Sequence, residues 1–325
     1  MRPTETDRSP RQWQSPPESS EPRARRPEGD DGRCDPLARR PQSRLAGEIG
    51  SPLADFDEEK AEELCAGVAR NLLGDFAPAL VLLPGTERRR AQALLAYAYG
   101  LFDFARQAGL EGEKLAQINR WEFTLEAAFA GERAGQPVVL RMARENERRR
   151  WPVDALDDLA GCARRRALRR RPATVVDADL EALSLGRAIA AALLEKSLNA
   201  EVDGLASALV RLGALQRLGE EVGSRRCPLP ASEVEEGEGG RLDPARLLAA
   251  VRRECPRIRS RLLRAPRGLV SLPHGYRRAA VFCLLAALRL LTEIEDPETD
   301  LLTAPPRLAL RSRLGFLLRA RWVGR

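Results

Sequence analysis

Residues 94–109 read LLAYAYGLFDFARQAG, an aromatic–small rhythm at helical spacing that would present a row of carboxylates to a cavity. Such a row needs acids one turn apart, at i and i+4, so that they share one helix face. This stretch holds a single acid, Asp103. Set among Leu101, Phe102 and Phe104, Asp103 reads either as a buried carboxylate paired with Arg106 or as a metal ligand. Ion pairing alone would satisfy it. Two other acidic runs imitate metal motifs. VDALDD, with Asp154, Asp157 and Asp158, follows Pro152 and falls in the first turns of a helix, where capping and the helix dipole account for it. EIEDPETD, with Glu293, Glu295, Asp296, Glu298 and Asp300, reads as a solvated helix end and turn. The lone histidine, His274 in SLPHGYRR, reads as a loop or helix-start residue. Six cysteines, at 34, 65, 162, 227, 255 and 283, form no CxxC pair, which excludes zinc sites of the usual spacing. Cys65 and Cys283 lie in apolar helical surroundings and read as small buried residues.

The elements that must position these residues are helices. Leu and Ala dominate the apolar residues, Val and Ile are sparse, and no strand-like alternation or fixed repeat occurs. The spacing predicts helices from about Asp55 through NLL, through YAYGLFDFARQ after the LLPG break, and from about Glu113 to Gly131. Pro137 and Pro152 each start a further helix. Later helices are expected over 177–198, 202–222, 243–264, 276–294 and 306–321, with the acidic loop SEVEEGEGG among them. The fold class is all-α, a single domain over 51–325. Residues 1–50 carry eight of the 23 prolines and too little apolar surface to offset ordering entropy, so a disordered Pro/Arg-rich tail is expected there.

The net charge of +7 is almost wholly arginine, since only Lys60, Lys114 and Lys196 are lysines. That charge suits anionic phosphates or lipid headgroups. No aromatic-interleaved basic motif accompanies it, which argues against a nucleic-acid binder. The start of the chain is polar, without the apolar core of a secretory signal. The run AAVFCLLAAL, broken by Arg289, is too short to span a bilayer. A cytoplasmic protein with peripheral membrane contact is expected.

Six segments occur in a telling order: GDFAPALVLLPGTERRRAQALLAYAYGLFDFA; AAFAGERAGQPVVLRMARENERRRWPVDALDDLAGC; RRPAT at 170–174; SLGR at 184–187; LQRLGEEVGSRRCPLPASEV; and AALRLLTEIEDPETDLLTAPPRL. Over about residues 68–320 the chain resembles the squalene/phytoene synthase family, and within it the bacterial hopanoid-associated squalene synthases. The resemblance implies a helical bundle of the isoprenoid synthase type. In that family a central cavity holds two prenyl diphosphates through Mg²⁺ bound by paired aspartates on two facing helices. Mg²⁺ requires oxygen ligands and offsets charge on the leaving diphosphate.

Mapped onto this chain, the resemblance implies Asp103 and Glu221 as the remaining metal ligands. The first position of the second motif is Arg217, which cannot ligate a metal. SLGR matches a helix-breaking Val-Gly, and Arg226 matches the arginine of an Arg-x-Tyr-Leu-Pro turn. Two readings follow. One is a non-catalytic family member that keeps the bundle and binds a prenyl lipid or a partner protein. The other is an active head-to-head prenyltransferase in which Arg217, Arg225 and Arg226 clamp diphosphate oxygens in place of some metal charge.

Overall fold

The computed structural model describes residues 57–168, 171–194, 199–223, 227–234 and 242–323. The expected tail at 1–50, and Arg225 and Arg226, lie outside the described residues. Helices build the fold, and no strand forms among the described residues. Helix α1 (Glu58–Leu73) leads into a 3-10 segment (Gly74–Leu82) and then α2 (Gly85–Arg106), α3 (Glu111–Phe129), α4 (Pro137–Arg148) and α5 (Val153–Leu168). The second half comprises α6 (Val175–Leu194), α7 (Ala200–Gln216), α8 (Leu218–Gly223), α9 (Pro244–Arg264), α10 (Pro266–Leu269), α11 (His274–Glu295) and α12 (Leu310–Trp322).

Local chemistry sets these boundaries. Asp57 caps α1 by accepting from the Lys60 amide at 2.8 Å, and Gly74, at φ 52°, ends it in a conformation that L-residues disfavour. The expected helix after Pro152 forms as α5, with Asp154 in its first turn, and His274 is the first residue of α11. By length and composition the 58–82 stretch could cross a membrane. In this fold it is interrupted at Gly74, and Ala61, Cys65, Val68 and Ala69 bury the helical half against α2 and α4.

Two expectations about helix continuity are overturned. The helix predicted over 202–222 is split into α7 and α8 at Arg217, whose backbone leaves the helical region at φ −101°, ψ 17°. The chain turns there because α8 packs closely on the 301–302 turn: a side chain at Gly219 would collide with the Leu302 carbonyl. Conversely, SLGR does not break a helix. α6 runs through it unbroken, and Gly186 lets α7 approach so closely that a Cβ there would meet the Ala206 Cβ at 2.8 Å. The last helix begins at Leu310, after an irregular 305–309, instead of at 306.

Two large apolar cores result, with a small third cluster of Ala69, Leu80, Leu83, Ala91 and Leu95. One, from α1 to α6, centres on Leu94, Tyr97, Leu101, Ile118, Met142 and Leu159. The other, mostly from α7 to α12, centres on Leu212, Leu215, Ile258, Phe282 and Leu290. The α6–α7 crossing lies on the seam between them.

Candidate functional site

At that seam the last turn of α2 meets the C-terminal half of α5, the middle of α6, the end of α7, and α8. Phe102, Cys162, Leu185, Val210 and Ala214 give a cavity of about 120 Å³ its apolar walls, and Arg106, Arg165, Arg166, Arg211, Glu181 and Glu221 line its charged side. On the side away from the cavity α2 is held rigidly. Tyr97 stacks on Trp121 with centroids 6.0 Å apart, Phe104 meets the same ring edge-on at 5.6 Å, and Gly100 leaves room for it.

Glu221 is the centre of the charged side. It is buried, and its two oxygens face different helices: Oε2 accepts from Arg166 Nη2 at 2.9 Å, and Oε1 lies 3.6 Å from Arg106 Nε. Arg217 stands one turn earlier, at the break between α7 and α8. Its Nε is buried without a hydrogen-bond partner. Burial, then the Arg106 guanidinium and more weakly that of Arg166, push its pKa below the usual arginine value, with Glu221 and Glu220 acting against them. It stays a cation regardless. Two guanidiniums therefore share one buried carboxylate with a third in electrostatic reach, and positive charge exceeds negative around Glu221. Nearby, Arg165 Nη2 reaches Cys162 Sγ at 3.1 Å, and burial pushes that thiol's pKa upward.

Asp103 is half-buried and accepts from Gln107 Nε2 at 3.4 Å. The expected Asp103–Arg106 pair does not form. Arg106 turns instead to Glu221, because a carboxylate removed from water attracts a guanidinium more strongly than one still half-solvated. Of the residues singled out in the sequence, the fold thus gathers Glu221 and Arg217, and leaves Asp103 with a neutral partner.

Sequence reasoning missed Arg166 and two arginines that hold the roof of the site. Arg211 donates to the Pro228 carbonyl at 3.1 Å and to Glu254 at 2.8 Å. Arg171 donates to the carbonyls of Leu229 at 3.0 Å and Pro230 at 2.9 Å. The 227–234 segment also lies along Pro172 and Ala173, with amides of Ala231 and Ser232 bonded to their carbonyls at 2.9 and 3.1 Å. The only signal in the sequence was the density of arginine itself, which does not say which arginine faces inward.

A model of the squalene/phytoene synthase family matches residues 74–313, which contain every element of this seam. The chain belongs to that family. No curated protein sequence matches it. Among solved structures it is similar to a dehydrosqualene synthase in complex with a ligand, at 13% identity and a TM-score of 0.66, over 81% of this chain and 96% of that one. It is also similar to the squalene synthase HpnC from Alicyclobacillus acidocaldarius, at 20% identity and a TM-score of 0.58, over 77% and 97%. At these identities the likeness is one of fold.

Family membership makes Mg²⁺ the group to test against this site, and the residues present do not fit it. Both oxygens of Glu221 are engaged by guanidiniums, and a third guanidinium stands beside them. A divalent cation would enter a field of surplus positive charge with too few anionic oxygens. Among the described residues no three His, Cys, Asp or Glu side chains gather as a metal site would need.

Proposed function

We propose that this member of the squalene/phytoene synthase family is non-catalytic and binds an anionic prenyl lipid without magnesium. One observation carries the reading: Arg106 and Arg166 both pair with the buried carboxylate of Glu221 where the two motif helices meet, and the Arg217 guanidinium lies within electrostatic reach of all three. A diphosphate or phosphate oxygen would neutralise the excess charge by charge-assisted hydrogen bonds, and Arg217 has a buried Nε with no partner to lose. Arg225 and Arg226, close by in sequence, would extend the same clamp.

The cavity is also small for condensation. At about 120 Å³ it falls well below the roughly 300–1,000 Å³ of ordinary ligand pockets. Head-to-head coupling needs two prenyl chains side by side. The cavity's apolar wall admits the beginning of one, with the anionic head at the arginines.

Purified protein incubated with farnesyl or geranylgeranyl diphosphate, with Mg²⁺ or with EDTA, tests this. Mass spectrometry of the extracted lipid should find unreacted prenyl diphosphate retained in both conditions and no coupled product. Arg217→Ala should lose retention. A squalene-, hydroxysqualene- or phytoene-type product would overturn the proposal in favour of an active prenyltransferase with an arginine clamp. Neither product nor retained lipid would overturn it in favour of a protein partner.

A further inference from the structure

Helix α12 already has a core-facing side. Ala320 is fully buried, Phe316 and Leu317 pack against the second apolar core, and Arg313 reaches inward to Asp75. That side accounts for the position of the helix. Yet α12 carries a second apolar face on the opposite side. Leu310, Leu314, Leu318 and Trp322, each four residues from the next, are 70, 52, 61 and 65% exposed. Residues four apart lie one above the other on a helix, so these form one continuous stripe. Burying apolar side chains is favourable, and this stripe forgoes that gain in the fold.

The charge around the stripe identifies what covers it. From residue 301 to the end, the chain contains six arginines and no Asp or Glu. Of these, Arg307, Arg311, Arg319 and Arg321 are exposed, and Arg311 and Arg321 lie within the angular span of the apolar stripe. Arg307 and Arg311 also line a cavity with Glu293 and Asp300, which leaves Arg319 and Arg321 as the cations away from any acid of that cavity. Long arginine stems lie along apolar surface while their guanidiniums reach phosphate, and tryptophan favours the same boundary. A second copy of this chain would bring the same cations against one another. A protein groove for this face would have to supply acids inside an apolar slot.

We propose that α12 docks the protein in the plane of an anionic phospholipid surface. Leu310, Leu314 and Leu318 enter the acyl boundary, and Arg319 and Arg321 engage headgroup phosphates. With 13 residues the helix is too short to cross a bilayer, so it lies in the interface. Docking is independent of whether the seam binds a prenyl anion.

Vesicle co-sedimentation of the full chain tests the proposal. Vesicles of phosphatidylcholine with phosphatidylglycerol should carry the protein down, and vesicles of phosphatidylcholine alone should carry far less. The double variant Leu314→Glu/Leu318→Glu should abolish binding while keeping the melting temperature, since both positions are exposed. Arg319→Ala/Arg321→Ala should weaken binding about 25-fold, at about fivefold for each arginine. No binding by the wild type, or equal binding by the Leu314→Glu/Leu318→Glu variant, would overturn the assignment of this face. A concentration-dependent dimer without vesicle binding, dispersed by the same two substitutions, would overturn it in favour of a second copy.

Discussion

At the residue scale the decisive fact is the ratio of charges around Glu221. Removing the carboxylate takes away the buried partner of Arg106 and Arg166 and leaves them, with Arg217, in mutual repulsion. Glu221→Gln should therefore destabilise the fold by about 3 kcal/mol, in the range seen when one partner of a buried pair is lost. Removing the surplus cation should do the reverse. Arg217→Met replaces a half-buried guanidinium, whose buried Nε has no hydrogen-bond partner, by an apolar side chain. It should be neutral or stabilising by about 1–2 kcal/mol. Denaturant titration of the two variants checks the opposite signs, and two losses of equal size would contradict the charge excess.

At the scale of elements, two features hold the site in place. The first is the α6–α7 crossing at Gly186. A Cβ there would meet the Ala206 Cβ at 2.8 Å and the backbone carbon of Ala206 at 2.9 Å, neither of which can swing aside. Gly186→Val should cost about 1–3 kcal/mol by overpacking and should part the walls of the cavity, seen as a lower melting temperature. The second is the roof segment 227–234. Glu233 anchors it through Arg253 Nε at 2.6 Å and Arg257 Nη2 at 3.0 Å. The hydrogen bond from Arg253, then that from Arg257, hold the Glu233 carboxyl below the usual glutamate range, with partial burial acting against them. A folded-state pKa below the unfolded one means that this stabilisation is present above the unfolded value and is lost as pH falls through the folded value. Stability should drop on the acid side of the ordinary glutamate range, and Glu233→Gln should flatten that limb in pH-dependent melting curves.

At the scale of the whole molecule, the seam joins the two apolar cores. Arg106 and Arg166 come from helices of the first core, and Arg217 joins helices of the second. An anion that bridges them should stabilise both halves together. Inorganic pyrophosphate at about a hundred times its Kd should add about 2.7 kcal/mol, a rise of roughly 5–10 °C in melting temperature, and do so in EDTA. Arg217→Met should abolish the rise. A rise that needs Mg²⁺ would refute the metal-free reading of the site.

Much of this molecule was legible in its sequence. Helical periodicity and proline placement sufficed for α2, α5 and α9, because those signals are local and compete with nothing. The six ordered motifs sufficed for the family, and the arginine at 217 already spoke against a magnesium ligand. The partner choices were not legible. Arg106 could have met Asp103 within its own helix, and its turn to Glu221 depends on a carboxylate 115 residues away being the more deeply buried. Nor could local pattern show that α7 ends at Arg217 or that α6 continues through Gly186, since both are set by what packs against a glycine. Sequence by itself determined the elements, the family and the stock of charges. Only the tertiary structure decided which charges were taken out of water together, because burial and the long-range contacts that cause it set the strength of every such pairing.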